Sequence, residues 1–87
     1  MNIKNQIRAF IYHNFLYTNS GNELTDDQSF LDSGVVDSTG VLELITFVEE
    51  TFNIKVEDDE VIPENLDSVE KLIKFINRKK EYFSVAA

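Results

Sequence analysis

Three serines in this chain follow an aspartate, at Asp32-Ser33, Asp37-Ser38 and Asp67-Ser68. A hydroxyl beside a carboxylate can cap a helix, carry a phosphoryl-type group or serve as the nucleophile of a hydrolytic site. In Asp67-Ser68, Glu70 follows Asp67 by three residues just ahead of an apolar period. That is an Asp version of a capping box, and it predicts that the Asp67 side chain takes a free N–H at the start of a last helix. Asp32-Ser33 precedes Gly34 and lies between the apolar pairs Phe30-Leu31 and Val35-Val36. A turn between two buried anchors is expected there, with Gly34 free to take positive φ.

Asp37-Ser38 differs in context. With Asp37 as the cap, Ser38 takes the first helical position and its hydroxyl can face solvent. Gly40 costs a helix about 1 kcal/mol relative to Ala, and it is expected to leave open space beside Ser38. A solvent-facing hydroxyl at a positive helix end suits a covalently attached phosphate.

Hydrolysis fits poorly. "VDSTG" has Val36 where a G-x-S-x-G elbow has its first glycine. The sole histidine, His13, falls mid-helix in the N-terminal segment, with nothing to place it at Ser38. An oxyanion hole and a substrate pocket are also more than a chain of 87 residues readily builds. "DDQSFLDSGVVD" and "EDDEVIPENLDS" lack the ligand spacing and central glycine of a calcium loop, no metal site is expected, and no Gly-rich phosphate loop is present.

The elements that must position Ser38 read as helices. Ile3, Ile7, Phe10, Ile11 and Phe15 make one apolar face of a first helix. Residues 18–37 then form a long connection, whose Leu24, Phe30, Leu31, Val35 and Val36 are too apolar for a free linker. A loop of about twenty residues is unusual in a compact domain, so it is expected to be pinned to the core or functional. A second helix is predicted from near Asp37, with Val41, Leu44, Ile45, Val48 and Phe52 inward and Thr39, Glu43, Thr46 and Glu50 outward. Leu42 and Phe47 flank that stripe. Pro63 limits the next helix to a turn or two around Asp59 to Ile62. A last helix buries Val69, Leu72, Ile73 and Ile76, and gathers Lys71, Lys74, Arg78, Lys79 and Lys80 toward its C-terminal end. The fold class predicted is all-α: a small bundle of three longer helices and one short third helix. It forms one domain over 1–87, with a core about 3–80 and a C-terminal tail over 81–87.

Charge narrows the partners. The net charge is −8, and residues 23–70 hold 15 acids against the single base Lys55. Such a surface repels phosphate backbones, which excludes nucleic acid, and attracts basic proteins. No cysteine is present, and no apolar run approaches the roughly 20 residues of a membrane span. A soluble, cytoplasmic, monomeric protein is expected.

Gly34-Val35-Val36-Asp37-Ser38, then Leu42-Glu43-Leu44, then "EETF" and "IKV", resembles the acyl carrier proteins, and the similarity runs from Ile3 to about Ile76. That family has the same helix order, long first loop and short third helix. The resemblance implies 4′-phosphopantetheine attached at Ser38 through a phosphodiester, with Asp37 the aspartate that precedes it. It implies a carrier without an active site, bearing acyl cargo as a thioester. It also implies a docking face of Thr39, Leu42, Glu43, Thr46 and Glu50 for a phosphopantetheinyl transferase and for acyl-loading and acyl-processing enzymes with basic surfaces. The family usually has Leu after the serine, where this chain has Thr39 and then Gly40, and the stretch around "VIPEN" is about two residues longer than in fatty-acid carriers. Thr39 and Gly40 point to a specialised fatty-acid or polyketide type of pathway rather than the housekeeping role, while Thr39 and the longer stretch weaken the fatty-acid match in favour of aminoacyl or peptidyl carriage. An aminoacyl or peptidyl carrier, and an unmodified acidic interaction module, stand as the alternatives.

Overall fold

The structure is a computed structural model that describes residues 2–15 and 25–86. Leu24 and the first part of the long connection lie outside the described residues. α1 spans Ile3–Asn14, started by the Asn2 side chain, which accepts the Asn5 N–H at 2.8 Å. Ile7 and Ile11 of its apolar face are buried, and Ile3, Phe10 and Phe15 pack partly against the core. Three further elements match the expected order: α3 (Gly40–Phe52), a short-helix region, and a long last helix, α5 (Val69–Ala86). The backbone of α5 stays helical through residues 81–86, where a tail was expected.

Between α1 and α3 lies an unexpected single turn, α2 (Phe30–Ser33). Ser29 caps it, and it ends at Gly34, whose φ of 77° is the left-handed conformation that glycine adopts without strain. Phe30 and Val36 are buried on either side of this turn, but Leu31 is 45% exposed and Val35 only half-buried. The expected pair of anchors is therefore one buried residue on each side.

The described part of the connection is pinned to the bundle, as its apolar content requires. The Asp26 carboxylate takes the Lys4 ammonium at 2.6 Å and the Arg8 guanidinium at 2.9 Å, and its carbonyl accepts the Glu70 N–H at 2.8 Å. One residue thereby joins the connection to both α1 and α5.

The short-helix region also differs from expectation. A 3₁₀ turn occupies Asp58–Glu60, and Pro63 opens α4 (Pro63–Leu66) rather than closing a helix. Proline lacks only an N–H that the first helical position would leave unpaired, and it drives Ile62 before it into an extended conformation (φ −133°, ψ 154°). At the start of α5, Ser68 replaces Asp67 as the cap. It is buried, and its Oγ accepts the Lys71 N–H at 3.1 Å. Glu70 pairs instead with Lys74, one turn on.

The core joins Ile7 and Ile11 of α1, Leu44, Val48 and Phe52 of α3, and Val69, Leu72, Phe75 and Ile76 of α5. Val41, Ile45 and Ile73, all predicted inward, are half-buried, and Phe75 takes a core place the helical stripe did not include. Phe10 stacks on Phe47 with ring centres 4.1 Å apart, tying α1 to α3. Among the described residues there is no strand, and the fold is an all-α bundle.

Candidate functional site

Regular α3 geometry begins at Gly40, three residues after the predicted start, because a turn over Asp37–Thr39 leads into it. Asp37 nonetheless does the capping. Its Oδ1 accepts the Gly40 N–H at 2.7 Å and its carbonyl accepts the Val41 N–H at 3.1 Å. Ser38 lies in the lead-in turn with its side chain exposed.

The expectation of open space at Gly40 is overturned. Gly40 is buried, and a Cβ there would sit 2.8 Å from Phe15 Cε1 and 3.2 Å from Val36 Cγ1. The missing side chain lets the end of α1 press on the first turn of α3, which fixes the backbone under Ser38 from below.

The serines of the three Asp-Ser pairs now separate. Ser68 Oγ is buried and spent on the start of α5. Ser33 donates to the Phe30 carbonyl at 3.3 Å and accepts the Val35 N–H at 3.4 Å, closing the turn at Gly34. Among the described residues the Ser38 hydroxyl has no hydrogen-bond partner. His13 is exposed on α1, and nothing described brings it to Ser38.

Ser38 belongs to the lining of a cleft of about 230 Å³. Phe30 and Leu31 of α2, Val36, and Val41 and Leu44 of α3 form part of its wall, and Val61, Ile62, Pro63 and Leu66 form the rest. Only Ser38 and Asp67 contribute polar side chains. Leu31, Val61 and Ile62 are 45%, 39% and 41% exposed, an apolar surface left open to water at this cleft. The sequence marks Phe30, Leu31, Val36, Val41 and Leu44 as apolar anchors or core positions but not as the wall of a cleft, and it does not single out Val61, Ile62 and Leu66 as apolar positions at all.

Thr39, Leu42, Glu43, Thr46 and Glu50 are all exposed on or just before α3. Among the described residues Leu42, at 67%, is the most exposed of the large apolar ones. Leu42, Glu43, Thr46 and Glu50 line a shallow groove of about 420 Å³, whose remaining lining is Phe10, Phe47 and Thr51. Thr46 Oγ1 donates to the Leu42 carbonyl at 3.1 Å, so its hydroxyl turns back to its own helix. Glu49 is half-buried and accepts the Val56 N–H at 2.9 Å, holding the chain that returns from α3.

Ser38 thus presents a free, exposed hydroxyl just ahead of an acidic helix and beside an apolar cleft. The family model for the phosphopantetheine attachment site matches residues 16–76. The chain belongs to that family of carrier proteins. It is 33% identical over 78 residues to an acyl carrier protein of Buchnera aphidicola subsp. Acyrthosiphon pisum (strain Tuc7), which covers 90% of this chain and 92% of the relative. Another acyl carrier protein, from Buchnera aphidicola subsp. Schizaphis graminum, is 37% identical over 59 residues, or 68% of this chain and 72% of the relative. A D-alanyl carrier protein of Streptococcus pyogenes serotype M1 is 39% identical over 59 residues, or 68% and 73%.

The protein is accordingly a non-enzymatic carrier whose cofactor is phosphopantetheine, and it works with a transferase and with the enzymes it serves. The described residues suit that group, because Ser38 offers an exposed oxygen that the fold does not use. Among them no helix is long and apolar enough to cross a membrane.

Proposed function

We propose that Ser38 carries the 4′-phosphopantetheine and that the protein holds acyl intermediates for partner enzymes in a specialised fatty-acid or polyketide type of pathway. The observation behind this is the state of the serines. Ser38 alone of the Asp-Ser serines is both exposed and unbonded, while Ser33 and Ser68 are spent on local structure. When bound, the group supplies a terminal thiol on a long flexible chain, where cargo rides as a thioester. This chain's own residues do the rest. Asp37 holds the lead-in turn, Gly40 seats it on Phe15 and Val36, and the cleft offers apolar walls beside the attachment oxygen. The carrier acts as a monomer in the cytoplasm, and Thr39, Leu42, Glu43, Thr46 and Glu50 meet basic partner surfaces.

The cleft favours an apolar cargo. Each methylene that leaves water for such walls is stabilised by about 0.8 kcal/mol. At roughly 30 Å³ per water-sized group, 230 Å³ holds a short to medium chain. The likeness to D-alanyl carrier proteins supports a second reading, an aminoacyl cargo. Its ammonium would lose hydration among nine apolar lining residues, with Asp67 as the one carboxylate there and each of its oxygens already accepting one hydrogen bond, from Ser29 and Leu31. An aminoacyl group would therefore stay in solvent. Intact-mass analysis of the protein from its own cells, before and after thioester cleavage, separates the readings. An arm bearing an acyl group is expected, an aminoacyl mass would move the assignment to the second reading, and a chain with no arm would overturn both.

A further inference from the structure

The α2 turn cannot hold itself. Its four residues close one helical turn, and a helix of that length is unstable in water unless other parts of the fold fix it. Yet α2 supplies Phe30 and Leu31 to the cleft beside Ser38. What fixes it is Asp67. The Asp67 carbonyl accepts the Phe30 N–H at 2.8 Å, and its Oδ1 accepts the Leu31 N–H at 3.0 Å. Its Oδ2 accepts a hydrogen bond from the Ser29 hydroxyl, whose oxygen in turn accepts the Asp32 N–H at 3.0 Å. Three successive N–H groups at the start of α2 thus trace to Asp67, directly or through Ser29.

The Asp67 backbone N–H closes α4 on the Pro63 carbonyl at 3.1 Å, but its side chain has no duty toward α4 or α5. The cap of α5 is Ser68, so the Asp67 carboxylate serves α2, 36 residues away in sequence at Leu31. It stands on a firm base, between Leu66 and Ser68, both buried, and it lines the cleft itself. We propose that Asp67 is a positioning residue: its carboxylate latches α2 to the α4–α5 junction and so holds the α2 wall of the cleft beside Ser38 in place against an apolar chain. The latch stands on these hydrogen bonds. The sheltering rests on the reading of Ser38 given above.

Residue-resolved amide hydrogen exchange on the unmodified protein tests the latch. Removing a hydrogen bond to a charged acceptor should speed Leu31 exchange by about tenfold or more in Asp67→Ala. Leu44, Val48 and Leu72 amides should change no more than the loss of global stability dictates. Asp67→Asn keeps one acceptor oxygen and should restore part of the Leu31 protection, and Ser29→Ala should loosen the same turn from the other side. Unchanged Leu31 exchange, or equal acceleration through α3 and α5, would overturn the latch. Sheltering is read separately, on protein loaded from octanoyl- or acetyl-coenzyme A, as the ratio of thioester cleavage rates by hydroxylamine. The wild type should protect octanoyl several-fold over acetyl, and Asp67→Ala should bring the ratio toward one. An unchanged ratio overturns the role of the latch in sheltering. If the wild type shows no octanoyl protection, the cleft reading fails, while the exchange data still decide the latch.

Discussion

Asp37 and Ser38 are neighbours with opposite duties. Asp37 Oδ1 is committed to the Gly40 N–H, and the Ser38 hydroxyl is committed to nothing in the described fold. Asp37→Ala should therefore cost about 1 kcal/mol in urea or thermal unfolding, whereas Ser38→Ala should stay within about 0.5 kcal/mol. Equal, large losses would make Ser38 a structural residue. Gly40 gives a sharper test. Alanine would gain about 1 kcal/mol of helix propensity, but its Cβ would fall 2.8 Å from Phe15 Cε1. Overpacking of that kind costs about 1–3 kcal/mol. Gly40→Ala should be destabilising, and Phe15→Leu in the same chain should recover part of the loss. The sequence shows Gly40 as an oddity in a helix, but the cause is a side chain 25 positions away, which no local pattern reveals. The roles of Asp67 and Ser68 were exchanged for the same reason. Both can cap, and only the arrival of Ser29 and Leu31 from a distant turn decides between them.

The long helices were legible because a 3.6-residue apolar period survives over three or more turns in α1, α3 and α5. A single turn has no period, so α2 was invisible, and Pro63 read as a stop when it is the first residue of α4. Such short elements depend on ionic and polar ties. Lys4, acting as a hydrogen-bond donor and as a charge, together with Arg8 holds the Asp26 carboxyl below its usual range despite some desolvation. At Glu60 burial works against ionisation, but the Glu57 N–H and the Lys79 ammonium, 2.9 Å away, outweigh it and hold that carboxyl low as well. A carboxyl held low in the folded state contributes stability above its unfolded pKa of about 4, and that contribution is lost as pH falls through the folded value. Asp26→Asn should therefore be less stable than the wild type at about pH 7, with the gap between urea midpoints narrowing as pH falls below the ordinary carboxylate range. A gap independent of pH would mean that the Asp26 charge does not hold the connection.

The molecule as a whole is segregated in charge, with 15 acids and one base over residues 23–70 and an excess of bases in α5. Glu43 and Glu50 stand exposed on α3, the helix that follows Ser38, while Leu44, Val48 and Phe52 face the core. An enzyme reaching Ser38 along that helix meets these carboxylates, and reversing them leaves the core untouched. Glu43→Lys with Glu50→Lys should slow arm transfer or cargo loading several-fold to tens-fold, at about 0.2–1 kcal/mol per exposed charge pair, with helicity unchanged. Added salt should bring the wild type toward the mutant rate. Wild-type loading by the folded double mutant at low salt would remove α3 as the docking face.

The most direct measurement is intact-mass analysis after incubation with coenzyme A and a broad-specificity phosphopantetheinyl transferase. The wild type, Ser33→Ala and Ser68→Ala, each confirmed helical by circular dichroism, should gain one arm, and Ser38→Ala should gain none. Clean modification of Ser38→Ala, or loss of the arm in folded Ser33→Ala, would contradict the assignment of Ser38.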